Sequence, residues 1–224
     1  MFHPNTRLAL EKLAGFEEVI CDISKWDFEC VDVGNGGSLA VRQRHDGSLA
    51  RKLREAENVS RLSLDFPNLT GALDDDLLGK IRAEGITAEQ YASVGEALKR
   101  HNPALRHWGV VYAHELDPAN WRGFEHLLDV VNLWVWESKD LFELDRYLDQ
   151  TQAIFPGRPI VLGCYLRDYT LGAAVPMERL KFQWSKVAEY VAEGRIAGFS
   201  LIGGFLIDVH EAEARWVRDF IAAH

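Results

Sequence analysis

Six short apolar stretches of this chain end on a carboxylate, most with an aromatic residue close by. They are V-I-C-D at Asp22, L-S-L-D at Asp65, V-V-Y-A-H-E at Glu115, L-W-V-W-E at Glu137, G-C-Y-L-R-D at Asp168 and G-F-L-I-D at Asp208. Parallel strands buried on both faces read as continuous apolar runs of this kind. Where strands and helices alternate around a barrel, the working site forms at the strands' C-terminal ends. The pattern therefore predicts acids and rings gathered at one mouth. Sugar rings stack on aromatic faces, and glycosidic bonds are cleaved by paired carboxylates, so the expected site handles carbohydrate.

A chain of 224 residues can bury a large core, and the absence of a Pro/Gly/Ser-rich linker predicts one domain over residues 1–224. The formal charge of -9 and the lack of any Lys/Arg-rich run argue against nucleic acid or an anionic membrane as partner. A small-molecule or oligosaccharide ligand fits better. Cys21, Cys30 and Cys164 are odd in number and show no C-x-x-C spacing, which predicts reduced thiols and neither a disulfide framework nor a structural zinc site. No apolar run approaches the ~18 residues of a membrane span, and M-F-H-P-N-T-R lacks the form of a signal peptide. The reading is a soluble, cytoplasmic protein, although a chain trimmed of its signal peptide would read the same.

An opening helix is expected around residues 5–14, then a strand over Glu18–Ser24 and a hairpin over Asp27–Arg44 around G-N-G-G. A helix over Leu49–Glu57 leads to a strand over Ser60–Phe66, an Asp/Gly-rich loop and a short helix near Asp74–Arg82. Thr87 and Gln90 form a capping box opening a helix over Ala88–Arg100. Strands over Arg106–Ala113, Val130–Trp136, Ile160–Leu166 and Phe199–Leu206 then alternate with helices over Asn120–Leu128, Leu141–Phe155, Pro176–Glu193 and Glu211–Ala222. Such alternation with short connections implies a parallel sheet with right-handed crossovers. The fold class is α/β, a TIM-barrel-like (β/α) barrel. About six β-α units are legible where a closed eight-stranded barrel takes about 250 residues, so the barrel is small or irregular near its start. A doubly wound open sheet competes, but its Gly-rich first turn is absent from D-I-S-K-W.

Among the acids, Asp65 reads as a catalytic carboxylate or as a cap of the F-P-N turn. Glu115 suits a general acid. Glu137 lies after W-V-W, where burial against indole rings also suits a general acid, or else it opens the next helix. Asp168 stands among Tyr165, Arg167 and Tyr169, offering an anion, a cation and two rings together. Asp208 with Glu211 reads as a capping box, and Asp22 as a buried acid paired with Lys25. Trp26, Tyr112, Trp136, Tyr165 and Tyr169, with Arg167, are the expected substrate-binding side chains. Strand alternation places Trp134 on the same side as Trp136, with Trp134 in the core. Gly203-Gly204 could admit a phosphate or mark a bulge. No Walker, G-x-G-x-x-G or G-x-S-x-G element occurs, and no cofactor is expected. Lys25 and Lys139 are the only lysines near strand ends, which disfavours a Schiff base. A metal on His114, Glu115 and Asp168 is the remaining chemistry.

N-L-W-V-W-E, L-G-C-Y-L-R-D-Y, the Q-W helix and E-G-R-I-A-G resemble the C-terminal half of bacterial (β/α)-barrel proteins grouped with glycoside-hydrolase-like enzymes, over roughly residues 100–224. The resemblance implies a barrel. In such relatives the strand matching L-S-L-D-F-P carries a double Asp before an aromatic; here Phe66 stands where the second acid would fall. The leading expectation is a sugar-binding barrel that hydrolyses a glycosidic bond with two of Asp65, Glu115, Glu137 and Asp168. Its rivals are a non-catalytic sugar-binding barrel and a metal-dependent sugar isomerase or hydrolase.

Overall fold

Whether L-S-L-D is a strand decides which acids of the N-terminal half sit at strand ends. In the computed structural model it is not. Helix α2 runs from Leu49 to Leu62, later than expected, and Ser63–Asp65 turn out of it. Its buried positions, Lys52, Glu55, Ala56, Val59, Ser60 and Leu62, follow the three-to-four-residue period of a helix. Polar side chains on that inner face hide the period from a reading based on apolar residues. The strand that follows is β4, Leu69–Asp74, in the stretch expected to be a loop.

The structure describes residues 5–24, 26–32, 39–202 and 207–224, with backbone alone for 26–32 and 39–45. It falls into two compact units divided between Gly109 and Val110. The first holds α1 (Arg7–Lys12), β1 (Val19–Asp22), β2 (Trp26–Asp32), β3 (Leu39–His45), α2, β4, α3 (Leu77–Glu84), α4 (Ala88–Lys99) and the start of β5 (Arg106–Tyr112). β2 and β3 form the expected antiparallel hairpin, Trp26 opposite His45. β1 and β5 both pair parallel with β4, Asp22 beside Leu73 and Asp74 beside Gly109. Gly71 is dictated by that register, because a Cβ there would lie 2.5 Å from the Arg106 carbonyl oxygen. α4 carries the expected box: Thr87 Oγ1 accepts from Gln90 N at 3.2 Å, and Gln90 Oε1 accepts from Thr87 N at 2.9 Å.

The second unit holds α5 (Pro118–Trp121), β6 (Val130–Trp134), α6 (Leu144–Ile154), β7 (Ile160–Tyr165), a two-residue hairpin of β8 (Arg167–Asp168) and β9 (Ala173–Ala174), α7 (Met177–Ala192), β10 (Gly198–Ile202) and α8 (Glu211–Ala223). β6 and β10 both pair parallel with β7. β6 and β7 are buried at every position, as their uninterrupted apolar runs require. The helix expected over Asn120–Leu128 ends at Trp121, because Arg122 takes ψ 116° and Gly123 takes φ 86°. The expected capping box at Asp208 is not formed: α8 starts from His210 with no side-chain cap.

The alternation of parallel strands and helices is that of a mixed α/β fold. Closure into a barrel is not found among the described residues, where β1 has one strand partner, β4, and β10 has one, β7. No helix among the described residues is long and apolar enough to cross a membrane. Cys21 and Cys164 are buried and form no disulfide, and burial pushes the Cys164 thiol far up; the Cys30 side chain lies outside the described residues.

Candidate functional site

Three strand ends of the second unit converge on one indole. Tyr112 ends β5, Trp136 follows β6 by two residues, and Tyr165 ends β7. Tyr112 and Tyr165 both meet Trp136 edge-on, at centroid distances of 5.9 and 6.1 Å. Tyr169, from the turn of the β8–β9 hairpin, stacks on Trp136 at 5.4 Å and 15°. His114 stacks in turn on Tyr112 at 5.5 Å. Trp136 stays 40% exposed and Tyr169 37%. Large rings held together yet open to water form an exposed aromatic patch rather than part of the core.

Trp134 is core, as expected: it is buried, its Nε1 donates to Asn132 Oδ1 at 2.7 Å, and its ring lies against Gly163. A Cβ on Gly163 would come within 2.0 Å of that ring, so glycine is required there.

The expected acids fare differently. Glu115 belongs to the 3₁₀ turn Ala113–Glu115, and its Oε2 accepts from Tyr112 N at 3.0 Å. Its own carbonyl accepts from Asn120 Nδ2 and Trp121 Nε1, both at 3.0 Å, which pins the turn beside the platform. Glu137, next to Trp136, is half-exposed and pairs with Lys139 at 2.6 Å. Asp168 is buried, 3% exposed. Its Oδ2 accepts from Ser138 N at 3.0 Å, and its Oδ1 accepts from Thr170 N and Leu171 N, both at 2.9 Å. Burial alone would raise its pKa, but the hydrogen bonds from Ser138, Leu171 and Thr170 outweigh it and hold the carboxyl below the usual range. The cavity at Asp168, lined by Trp136, Ser138 and Tyr165, measures about 10 Å³, no more than one water occupies. Arg167 donates to Gly172 O at 2.7 Å and lies 3.5 Å from His210 Nε2. A groove of about 470 Å³ between Leu201 and α8 takes in Asp208 and Glu211 but none of these rings.

Asp65 is corrected in position. It lies in the turn after α2, before the N-terminal end of β4, exposed and ion-paired with Arg7. The first unit's strand-end acids are instead Asp22, Asp74 and Asp75, and the last two were missed because β4 was taken for a loop. Asp22 Oδ1 accepts from Ser24 N at 2.7 Å and Ser24 Oγ at 2.6 Å; Lys25, its expected partner, lies outside the described residues. Asp74 is fully buried against Lys52 of α2 and Tyr91 of α4. Asp75 has its pKa raised to about 6, first by burial and then by the charge of Asp76. The signal available in the sequence was the triple D-D-D itself.

Among the described residues no group of three or more His, Cys, Asp or Glu could hold a metal ion, so the set His114, Glu115 and Asp168 does not form one. The Trp26 side chain and Gly203-Gly204 lie outside the described residues.

No protein-family model matches the chain, and no curated protein matches it. Its fold is similar to solved structures. A chitinase from Chromobacterium violaceum aligns at TM-score 0.55 and 16% identity over 95% of this chain and 84% of that one. A Bacteroides uniformis beta-glucuronidase aligns at TM-score 0.51 and 12% identity over 68% of this chain and 21% of that one. PhdJ bound to a substrate intermediate aligns at TM-score 0.50 and 11% identity over 96% and 60%. The alignment thus spans only about a fifth of the glucuronidase. Glycoside hydrolases stand among these structural neighbours, and the likeness is one of fold.

Proposed function

We propose that this chain binds carbohydrate on the aromatic platform of its second unit and hydrolyses a glycosidic bond with acids at the same strand ends. One observation carries the reading: Trp136 and Tyr169 are stacked, exposed, and set where three strand ends meet. The outward-facing side of such a stacked pair offers the flat apolar surface that the C–H face of a sugar covers. Tyr112, Tyr165 and Arg167 border it. Glu137 and Glu115 are the acids partly open to solvent there, and Glu137, adjoining Trp136, is the better placed to pass a proton to a leaving oxygen. The glycoside-hydrolase neighbours fit this reading without carrying it.

A second reading follows from Asp168, whose two oxygens are both engaged by N–H donors. With that carboxylate closed, the platform binds sugar without cleaving it.

The test titrates a panel of oligosaccharides against tryptophan fluorescence and screens aryl glycosides for turnover. Trp136→Ala should weaken binding about thirtyfold, the ~2 kcal/mol of an aromatic anchor. Glu137→Gln should lower turnover by about 10²-fold or more if it is the general acid. Binding without turnover selects the second reading, and unchanged affinity in the Trp136 variant rejects both.

A further inference from the structure

We infer that Asp168 is a positioning residue: its carboxylate pins the β8–β9 hairpin so that Tyr169 completes the sugar platform by stacking on Trp136. The inference rests on the platform being the sugar site. It gives Asp168 work that needs no contact with substrate.

The carboxylate joins two segments. On one side it accepts from Ser138 N, two residues beyond Trp136. On the other it accepts from Thr170 N and Leu171 N, the two residues after Tyr169. One side chain therefore fixes the backbone beside each of the two stacked rings. The tip of the hairpin has little else to hold it. The hairpin's ladder is two residue pairs, Arg167 with Ala174 and Asp168 with Ala173, far below what a hairpin needs to stand alone. Its base is tied down, Val175 N donating to Leu166 O at 3.0 Å between two buried side chains, but Leu171 at its tip is 56% exposed, so no apolar core supports the tip. A second clamp, Arg167 donating to Gly172 O at 2.7 Å, closes the far side of the turn. Ser138 is itself held by Arg179 of α7, which donates to its Oγ at 3.0 Å. The roughly 10 Å³ at Asp168 leaves no room for a sugar, so any effect of this carboxylate on ligand passes through the ring it places. An amide cannot do the same, because its NH₂ would face N–H donors on one of the two sides.

The experiment measures oligosaccharide affinity, KM and kcat separately, and the near-ultraviolet circular dichroism of the ring pair, in the full chain. Asp168→Asn should weaken affinity about five- to tenfold, the size of one aromatic contact, and diminish the dichroism of the pair. KM should rise by the same factor while kcat stays within about threefold. Tyr169→Leu should match it, and the double variant should lose no more than either alone. Arg167→Gln, which opens the second clamp, should lose less. Normal affinity in Asp168→Asn beside weakened affinity in Tyr169→Leu overturns the inference. So does a kcat collapse at unchanged KM, which would place Asp168 on the reacting atoms. If Asp168→Asn does not fold, Arg167→Gln carries the test through the ring pair's dichroism: a diminished signal with weakened affinity supports the inference, and an unaltered signal overturns it. Failure of the sugar reading is separate: it shows as unaltered affinity in Trp136→Ala.

Discussion

Asp74 in the first unit and Asp168 in the second are both buried carboxylates at strand ends, 0% and 3% exposed, yet they are satisfied by opposite means. Asp74 meets a charge. Lys52 Nζ bonds one oxygen and the Tyr91 hydroxyl donates to the other at 2.9 Å; with its proton so committed, Tyr91 accepts from His107 Nε2 at 3.0 Å. Burial and the Asp74 charge push the Tyr91 hydroxyl well above its ordinary range. Asp168 meets three backbone N–H groups, with the Lys139 charge acting on it only from a distance. An ion pair fastens helices to a strand, whereas a carboxylate among amides sets the course of a loop. The first residue should therefore matter to stability, and the second to the shape of what the loop carries.

The largest effect tests the first half of that contrast. Asp74→Ala leaves the Lys52 ammonium buried without its counter-charge, which costs about 3–5 kcal/mol. Chemical denaturation should show most of the protein's margin gone, and Asp74→Leu combined with Lys52→Met should recover a large part of it. A loss under about 1 kcal/mol in the single variant would mean that Lys52 reaches water, and the contrast would collapse.

The two units also differ in how far their sequences disclose them. β6 and β7 are uninterrupted apolar runs, and W-V-W and Y-L-R-D-Y announce Trp136, Tyr165 and Tyr169, so the clustering of these rings was legible in the sequence. β4 reads L-T-G-A-L-D, in which Thr and Gly weaken the strand signal and Gly answers a close approach that only the neighbouring strand reveals. Lys52, Glu55 and Ser60 on the buried face of α2 masked its helical period, and L-S-L then passed for a strand. That one misreading moved the expected strand-end acid from Asp74 to Asp65. The donors that engage Asp168 were illegible for another reason. Backbone N–H groups belong to every residue, and only the folded turn shows which ones converge.

A smaller effect sharpens the comparison through pH. Asp75, beside Asp74, has its carboxyl raised to about 6 by burial, then by Asp76, with Asp22 adding to it. The folded chain holds that proton more tightly than the unfolded chain does. Its stabilising contribution is present in full below about pH 4 and is lost as pH rises through 6. Asp75→Asn should therefore gain on the order of 2 kcal/mol at pH 7.5 and nothing at pH 4. Asp168 runs the other way: with its carboxyl held low, its contribution is present above the unfolded value and lost as pH falls through the folded one. Urea denaturation at both pH values reads the difference, and a gain of equal size at pH 4 would show that Asp75 is ionised throughout.

The smallest effect belongs to Asp65, the acid that neither device governs. It pairs with Arg7 in the open, their side chains 54% and 59% exposed, and Arg7 also lies over the Phe66 ring at 5.3 Å. An exposed pair gains little Coulomb energy in water and loses side-chain freedom to hold its geometry, so Asp65→Asn should change stability by less than about 0.5 kcal/mol at moderate salt. Far from the C-terminal end of β4, it should also leave sugar affinity and any glycoside turnover within twofold. A hundredfold fall in turnover with unchanged melting would return Asp65 to the catalytic place that its sequence context suggests. The distinction among buried ion pair, amide-bound loop acid and surface acid would then no longer sort this chain's carboxylates by function.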